Sequence, residues 1–398
     1  MHVITTPKDL EDTCRLLSEA EFITVDTEFI RDSTYWPKLC LLQVAGPEGA
    51  HAIDPLAPDM NLAPLYKLFT NDRITKVFHA ARQDIEIFYH DTGIIPAPLF
   101  DTQVAAMACG FGDSIAYEGL VKSLAKVELD KSQRFTDWSR RPLTDGQIEY
   151  ALGDVIHLRT IYEKLREQLA SKKREVWLQE EMEVLSNPDT YKLEPKDAWK
   201  RLKLRSSARR HLGVLMEVAA WREQQAQKQN VPRNRILKDD AIHEIVTQRP
   251  TSQQELKRLR LVAKNLAQSS RGESLIQAVK RGQQISKDAL PVLAPPRISS
   301  QRNGSLVDLL KVLLKLQCEQ HGVAQKLVAN VQDLEAIAAK EAAQVPAMSG
   351  WRYDIFGELA GKLKHREIAI GMDKKGITVI PIKAFSGKVD PVFRPETR

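Results

Sequence analysis

Asp26 and Glu28 stand one residue apart in the run Phe22-Ile23-Thr24-Val25-Asp26-Thr27-Glu28-Phe29. Side chains alternate between the faces of a strand, so both carboxylates share a face at a spacing of roughly 7 Å, opposite Ile23, Val25, Thr27 and Phe29. Two acids on one side of a hydrophobic strand repel each other and are costly to bury, and a cation between them removes both difficulties. A face left open to solvent fits the same pattern. Tyr150 and Asp154 follow at a spacing that puts phenol and carboxylate one helical turn apart. A structural tyrosine beside a surface aspartate has that spacing too. Asp84 comes just after a strand-like run ending at Phe78, a type of junction where α/β proteins often place ligands. An exposed helix residue would sit there equally well.

The elements that must position these groups are legible as patterns. Phe22–Phe29, Leu39–Val44 and the short His51–Asp54 run read as close strands, hence an antiparallel meander. Ile74–Phe78 reads as a strand entering a helix over about 80–90, and Pro98–Thr102 as another strand with a helix after it. Strand–helix–strand order implies parallel pairing, so the expected fold is a mixed sheet with helices packed on it. Helical periodicity runs from Gln147 to Leu169, with Thr144 as N-cap, Gln147 as its capping-box partner, and Ile148, Leu152, Val155 and Leu158 as the packing stripe.

The expected α/β domain covers residues 1–170. A charged helical connector follows over 171–204, a helical segment over 205–286, a linker rich in Pro, Ser and Arg over 287–304, a second helical segment over 305–385 and a tail over 386–398. A short β-like run lies at Gly371–Pro381 in the second helical segment.

The chain has 398 residues and a net charge of +6, unevenly spread. Lys200 to Arg281 carries 19 Lys or Arg against 7 Asp or Glu, so the remainder is net negative. A basic middle beside an acidic N-terminal part suits a polyanion-binding module joined to a cation-binding one, although solvated basic helices read the same way. No apolar run is long enough to span a bilayer, and the N-terminus lacks the pattern of a signal peptide. Cys14, Cys40, Cys109 and Cys318 are scattered, which fits buried thiols in a reducing cytoplasm and neither a zinc site nor a disulfide framework.

Asp-x-Glu on a first strand, a later Asp, then Tyr-x-x-x-Asp on a late helix resembles the DEDD exonuclease superfamily in its tyrosine subclass. More closely, the chain resembles the ribonuclease D family. Val25-Asp26-Thr27-Glu28-Phe29, Pro37-Lys38-Leu39-Cys40-Leu41-Leu42-Gln43-Val44, His79-Ala80-Ala81-Arg82-Gln83-Asp84 and Phe100-Asp101-Thr102-Gln103 carry the likeness. Leu129-Asp130-Lys131-Ser132-Gln133, Asp137-Trp138-Ser139-Arg140-Arg141-Pro142-Leu143 and Glu149-Tyr150-Ala151 extend it over the first 170 residues. Trp221-Arg222-Glu223, Asn230-Val231-Pro232-Arg233, Ile236–Ile242 and Arg271-Gly272-Glu273 resemble the helicase-and-RNase-D C-terminal (HRDC) domain, a small helical nucleic-acid-binding module. Gly350-Trp351-Arg352 with Phe356-Gly357 resembles a second, diverged copy.

The resemblance implies a ribonuclease H-like mixed sheet flanked by helices, followed by two small all-α HRDC-type domains. It implies metal-dependent removal of nucleoside 5′-monophosphates from the 3′ hydroxyl end of tRNA precursors and other structured RNAs. Asp26, Glu28, Asp84 and Asp154 would hold two divalent ions, Mg²⁺ or Mn²⁺, which suit hard oxygen ligands. Tyr150 would orient the attacking water, because a phenol with a pKa near 10 is a poor base at neutral pH. Lys131 and Arg141 are candidate phosphate contacts near the site, with a solvated salt bridge the other reading of each, and Arg233, Arg235 and Lys238 are candidate backbone contacts in the HRDC segment. Asp101 and His79 are expected to support the site without touching metal or substrate. The partner expected is RNA with a free 3′ hydroxyl, with no membrane and no obligatory protein partner. A proofreading-type DNA exonuclease shares the same acids and tyrosine. An inactive RNA-binding adaptor would be expected to have lost at least one of the acids.

Overall fold

The computed structural model describes residues 3–130, 132–204, 209–291, 301–374 and 376–382. Half of the expected linker (292–300), the end of the second helical segment and the tail over 386–398 lie outside them. The chain divides into two compact units. The first comprises Met1–Thr102, Tyr117–Lys164 and Gln179–Ala294, and the second comprises Gln103–Ala116, Leu165–Leu178 and Pro295–Arg398.

The first unit is built on a six-stranded sheet of order β1-β4-β3-β2-β5-β6. Its strands are β1 (Val3–Ile4), β2 (Phe22–Ile30), β3 (Lys38–Gly46), β4 (Gly49–Ile53), β5 (Thr75–Phe78) and β6 (Leu99–Asp101). β2, β3 and β4 form the expected antiparallel meander, while β5 and β6 add in parallel beside β2, and β1 pairs in parallel with β4. The sheet is therefore mixed, as the alternation implied. β1 is a two-residue strand that periodicity does not reveal.

Helices α1 (Pro7–Leu17), α2 (Ala63–Phe69) and α3 (Arg82–Thr92) bury Leu10, Leu65, Phe69, Ile85 and Phe88 in the same core as Ile23 and Val25. In the chain, α4 (Thr102–Cys109) and α5 (Tyr117–Leu120) precede the long helix α6 (Asp145–Lys172). Ile148, Ala151 and Leu152 of α6 pack with Cys40, Leu41 and Ala52, and Leu158 and Tyr162 pack with Phe22 and Val77. Alternation thus sends Ile23 and Val25 to the core shared with α1–α3, and Phe22 and Thr24 to the side of α6. The Thr24 hydroxyl donates to the Val155 carbonyl at 2.8 Å. At the start of α6 the expected capping box is formed: the Gln147 amide donates to Thr144 Oγ1 at 3.2 Å, and the Thr144 amide donates to Gln147 Oε1 at 3.1 Å.

After α7 (Val176–Ser186), the segment over 187–204 is shared between two cores. Tyr191 packs in the sheet core, whereas Ala198 and Leu202 pack in the helical core that follows. That helical core contains α8 (Arg209–Gln229), α9 (Arg233–Ile236), α10 (Asp239–Gln248), α11 (Gln253–Arg258), α12 (Lys264–Ala267) and α13 (Ser270–Gln284). α8 and α13 cross in backbone contact at Gly213 and Gly282. A Cβ on Gly213 would meet the Gly282 carbonyl oxygen at 2.4 Å, so only glycine fits.

In the second unit, α14 (Gln301–His321), α15 (Gln325–Val328), α16 (Val331–Ala339), α17 (Gly350–Arg352) and α18 (Glu358–Lys364) follow in order. Leu310, Leu313, Leu334, Ile337 and Phe356 are buried. Trp177 stacks on Trp351 with centroids 4.3 Å apart, flanked by the Arg174 and Arg352 guanidinium groups. The expectation of an all-α segment here needs correction. Residues Ile368–Asp373 (β7) and Gly376–Pro381 (β8) pair as an antiparallel hairpin, because β-branched Ile377, Thr378, Val379 and Ile380 favour a pleated surface over a helix.

Candidate active site

Asp26 and Glu28 project from β2 towards α6, which carries Asp154. One carboxylate oxygen from each of the three lies within 4.8 Å of the others. A register shift against β3 between Glu28 and Phe29 marks a bulge beside the second acid, a common device for re-aiming a side chain. Asp84 arrives from the opposite layer, in the first turn of α3. It is buried, and its Oδ1 accepts from Thr27 Oγ1 at 2.5 Å, so it stands beside the three-acid group and outside its 4.8 Å limit. Thr27 points to the opposite side of β2 from Asp26 and Glu28, and so is placed to hold an acid delivered by α3.

Electrostatics show what this crowding costs. Burial pushes the Asp26 carboxyl up to about 7 despite a hydrogen bond from the Thr27 amide. Burial, then the charges of Asp26, Asp154 and Asp84, push Glu28 up to about 9. Burial and Asp26 raise Asp154 to about 8, and the same two causes hold Asp84 well above the ordinary carboxylate range. No Lys or Arg is among the causes for any of the four. A cation is what such a group lacks, and a donor set of carboxylate oxygens without Cys or His fits Mg²⁺ or Mn²⁺.

Tyr150 sits one turn before Asp154 on α6. Burial, followed by Asp154, Glu28 and Asp26, drives its phenol further above an already high pKa, against a role as base at neutral pH. Asp101 accepts from the backbone amides of Ala80 and Ala81 at 3.1 and 2.8 Å. It thereby supports the entry to α3, where Ala80 has a φ of +58° and Ala81 offers no side-chain cap. His79 Nδ1 lies 3.0 Å from Thr102 Oγ1, at the adjoining strand end.

The basic candidates fare differently. Arg141 is engaged by the protein: Nε and Nη2 bind Asp54 at 2.6 Å each, Nη1 binds the Trp138 and Arg140 carbonyls, and Nη2 also binds the Cys40 carbonyl. All five N–H groups have protein acceptors, so of the two expectations for Arg141 the salt bridge is the one the structure forms. Arg233 is partly engaged: Nε and Nη2 clasp the buried Glu223 at 2.6 and 2.8 Å, and Nη2 also reaches the Tyr35 hydroxyl at 3.0 Å. Arg235 and Lys238 are exposed near α9 and the start of α10. Lys131 lies outside the described residues.

Three residues at the site are given no role by the sequence, although Thr27 and Gln43 lie within runs that carry the family likeness. Tyr117 donates to the Gly153 carbonyl at 2.9 Å, and burial with the charges of Asp154 and Asp26 raises its pKa. Thr27 holds Asp84, as above. Gln43 is directly opposite Asp26 on β3, fully buried, and its amide nitrogen and oxygen have no hydrogen-bond partner. Only the strand register, which pairs residues distant in sequence, discloses that juxtaposition.

Residues 1–170 match the 3′–5′ exonuclease family and residues 211–279 the HRDC domain. The ribonuclease D of Nitrobacter hamburgensis is 49% identical, over 94% of this chain and 98% of its own length. That of Jannaschia sp. is 47% identical, over 96% of this chain and 100% of its own. The crystal structure of Escherichia coli RNase D, described as an exoribonuclease involved in structured RNA processing, superposes with a TM-score of 0.78 at 29% identity, covering 92% of this chain and 98% of that one. With the acids, the tyrosine and the helical module in one arrangement, the chain belongs to the ribonuclease D family of 3′–5′ exoribonucleases.

Proposed function

We propose that this exoribonuclease trims tRNA precursors and other structured RNAs from a free 3′ hydroxyl, releasing nucleoside 5′-monophosphates. The observation that carries the metal dependence is the convergence of three carboxylate oxygens within 4.8 Å from β2 and α6. Asp26, Glu28 and Asp154 would hold divalent metal, with Asp84 joining when its carboxylate turns from Thr27. Held there, divalent ions such as Mg²⁺ or Mn²⁺ would supply acidity to the attacking water and charge relief at the leaving 3′ oxygen. Tyr150 orients the water from one turn before Asp154, and Tyr117 steadies the Gly153 carbonyl beside the same acid. A phenol raised by its acidic neighbours donates a hydrogen bond and keeps its proton, which favours orientation over deprotonation.

A substrate with structure is supported by the basic HRDC segment and by the processing role described for the Escherichia coli relative. α14, α15 and α16 repeat the order of α8, α9 and α10: a long helix, then helices of 4 and 9 residues against 4 and 10. This repetition supports a second HRDC-like domain after residue 305. No described helix is long and apolar enough to cross a membrane, and the four buried free cysteines suit a reducing cytoplasm.

The test is digestion of 3′-labelled RNA by the purified protein with Mg²⁺, Mn²⁺ or EDTA. Activity is expected to vanish in EDTA, on a 3′-phosphorylated end and in Asp84→Ala. Unimpaired cleavage by Asp84→Ala would overturn its place among the ligands. Equal or faster digestion of single-stranded DNA would favour a proofreading-type exonuclease instead.

A further inference from the structure

The loop joining β2 to β3 runs from the acidic strand directly into the HRDC core. Tyr35 is buried among Val218, Trp221 and their neighbours, and both Tyr35 and Trp36 donate their amides to Asn230 Oδ1, at 3.1 and 3.0 Å. Between this loop and the module lies a cleft of about 400 Å³. Arg31, Arg201, Arg222 and Arg233 line it, against two acids, Glu223 and Asp239.

The acids do not neutralise the cleft. Glu223 is only 1% exposed, and it is taken by Tyr35 and Arg233 at the back wall. Asp239 is held by Arg222 Nη1 at 2.5 Å. Arg201 is half exposed, and its guanidinium approaches an acid only at 3.5 Å, the already engaged Glu223. Arg222 is 5% exposed and its Nε has no hydrogen-bond partner, leaving one buried donor unmatched in the wall. A buried charged N–H without an acceptor is costly, and a small turn of the side chain would present it to an anion in the cleft. Arg31 is already paired, its Nη1 and Nη2 donating to the Glu86 carboxylate at 3.0 and 2.8 Å. Four guanidinium groups thus stand against three carboxylates, and the one positive charge left over, with Arg201 the most weakly engaged of the four, is what a phosphate group in the cleft balances.

We propose that this cleft is a phosphate-binding site. Guanidinium forks match phosphate oxygens in pairs, which a single lysine cannot do. Two sources carry that chemistry: a backbone phosphate of the RNA whose end lies at the acids, or the phosphate of a free mononucleotide. The RNA source rests on the ribonuclease reading. Binding measured in EDTA needs none of the metal-ligand assignments, so failure of either leaves the other standing.

The test uses the full chain in EDTA, with anisotropy of a 5′-labelled 12-nucleotide RNA and calorimetry with adenosine 5′-monophosphate. Arg201→Glu is the informative variant, because its side chain is half exposed and its replacement leaves the buried clasp in place. Melting curves confirm that it folds. Lys192→Glu, an exposed reversal outside the cleft, controls for bulk charge. If RNA occupies the cleft, Arg201→Glu weakens RNA binding about 10-fold and lowers the salt slope by about one, while Lys192→Glu changes little. If a free mononucleotide occupies it, calorimetry detects binding to the wild type that Arg201→Glu abolishes. The proposal fails if Arg201→Glu alters neither measurement, or if Lys192→Glu weakens RNA binding equally.

Discussion

Two clusters of buried charge in the first unit are built on opposite plans. At Asp26, Glu28 and Asp154, acids face acids, and every carboxyl is pushed up. At Glu223, burial also pushes the carboxyl up, but hydrogen bonds from Arg233 and Tyr35 and the charges of Arg233 and Arg201 outweigh it, and the net shift is downward. The second cluster is complete within the protein and acts as a fastener. The first is complete only with a cation from outside. Burial alone therefore says little about a carboxylate's role, whereas the sign of its neighbours says a great deal.

The comparison can be broken at several points. The largest effect is expected from Asp26→Asn or Asp154→Ala: kcat should fall by about 10³-fold or more, the several kcal/mol that bound metal supplies to the transition state. The same variants should melt no lower than the wild type in EDTA, because a repulsive acid has been removed. A marked loss of stability would mean that the acids were fastening the fold after all. Glu223→Ala should do the reverse, destabilising the fold by about 3–5 kcal/mol in urea unfolding, since it strands the Arg233 guanidinium. A loss under 1 kcal/mol, by contrast with this expectation, would place the clasp with ordinary surface pairs.

Metal should stabilise the fold by about 2.7 kcal/mol at a hundredfold excess over Kd. The pH dependence has a definite sign. The three carboxyls are raised to about 7, 9 and 8 in the folded protein. Their contribution to metal-free stability is present below the unfolded value near 4 and is lost as pH rises through about 7–9. The melting shift on adding Mn²⁺ should accordingly be greater at pH 8.5 than at pH 6, and a shift independent of pH would contradict metal binding at these acids. Tyr150→Phe should lower kcat by about 10- to 100-fold with little change in KM, below the full range of general-base effects. A loss of about 10⁴-fold would instead restore the base. Tyr117→Phe removes one hydrogen bond, about 1 kcal/mol, and should slow turnover by about fivefold.

How much the sequence revealed depended on distance along the chain. Asp26 with Glu28, the Thr144–Gln147 capping box and the Tyr150–Asp154 turn are local patterns, governed by periods of two or about four residues. The antiparallel meander and the parallel pairing followed from the spacing between strands, whereas the strand order and the two-residue β1 did not. The partners of Arg141 and Arg233, Asp54 and Glu223, could not be named from sequence because the fold selects them, and a basic residue in sequence carries no mark of its pairing. Gln43, Tyr117 and Thr27 escaped for the same reason, since each reaches the site through strand register or helix packing. The hairpin β7–β8 is an intermediate case: the β-like run at Gly371–Pro381 was visible, but its start at Ile368 and its pairing as two strands were not.

Tyr35 gives the protein a restriction on its modularity. The HRDC match begins at Leu212's neighbour His211 and ends at Val279, as though the domain could be lifted out and transplanted. Its hydrophobic interior, however, contains an aromatic ring contributed by the nuclease loop, together with Ala198 and Leu202 from the preceding segment. An excised HRDC domain would carry a hole where that ring belongs, and a truncated nuclease would offer the same ring to water. Exchange of this domain between relatives therefore requires the recipient loop to supply a matching aromatic plug.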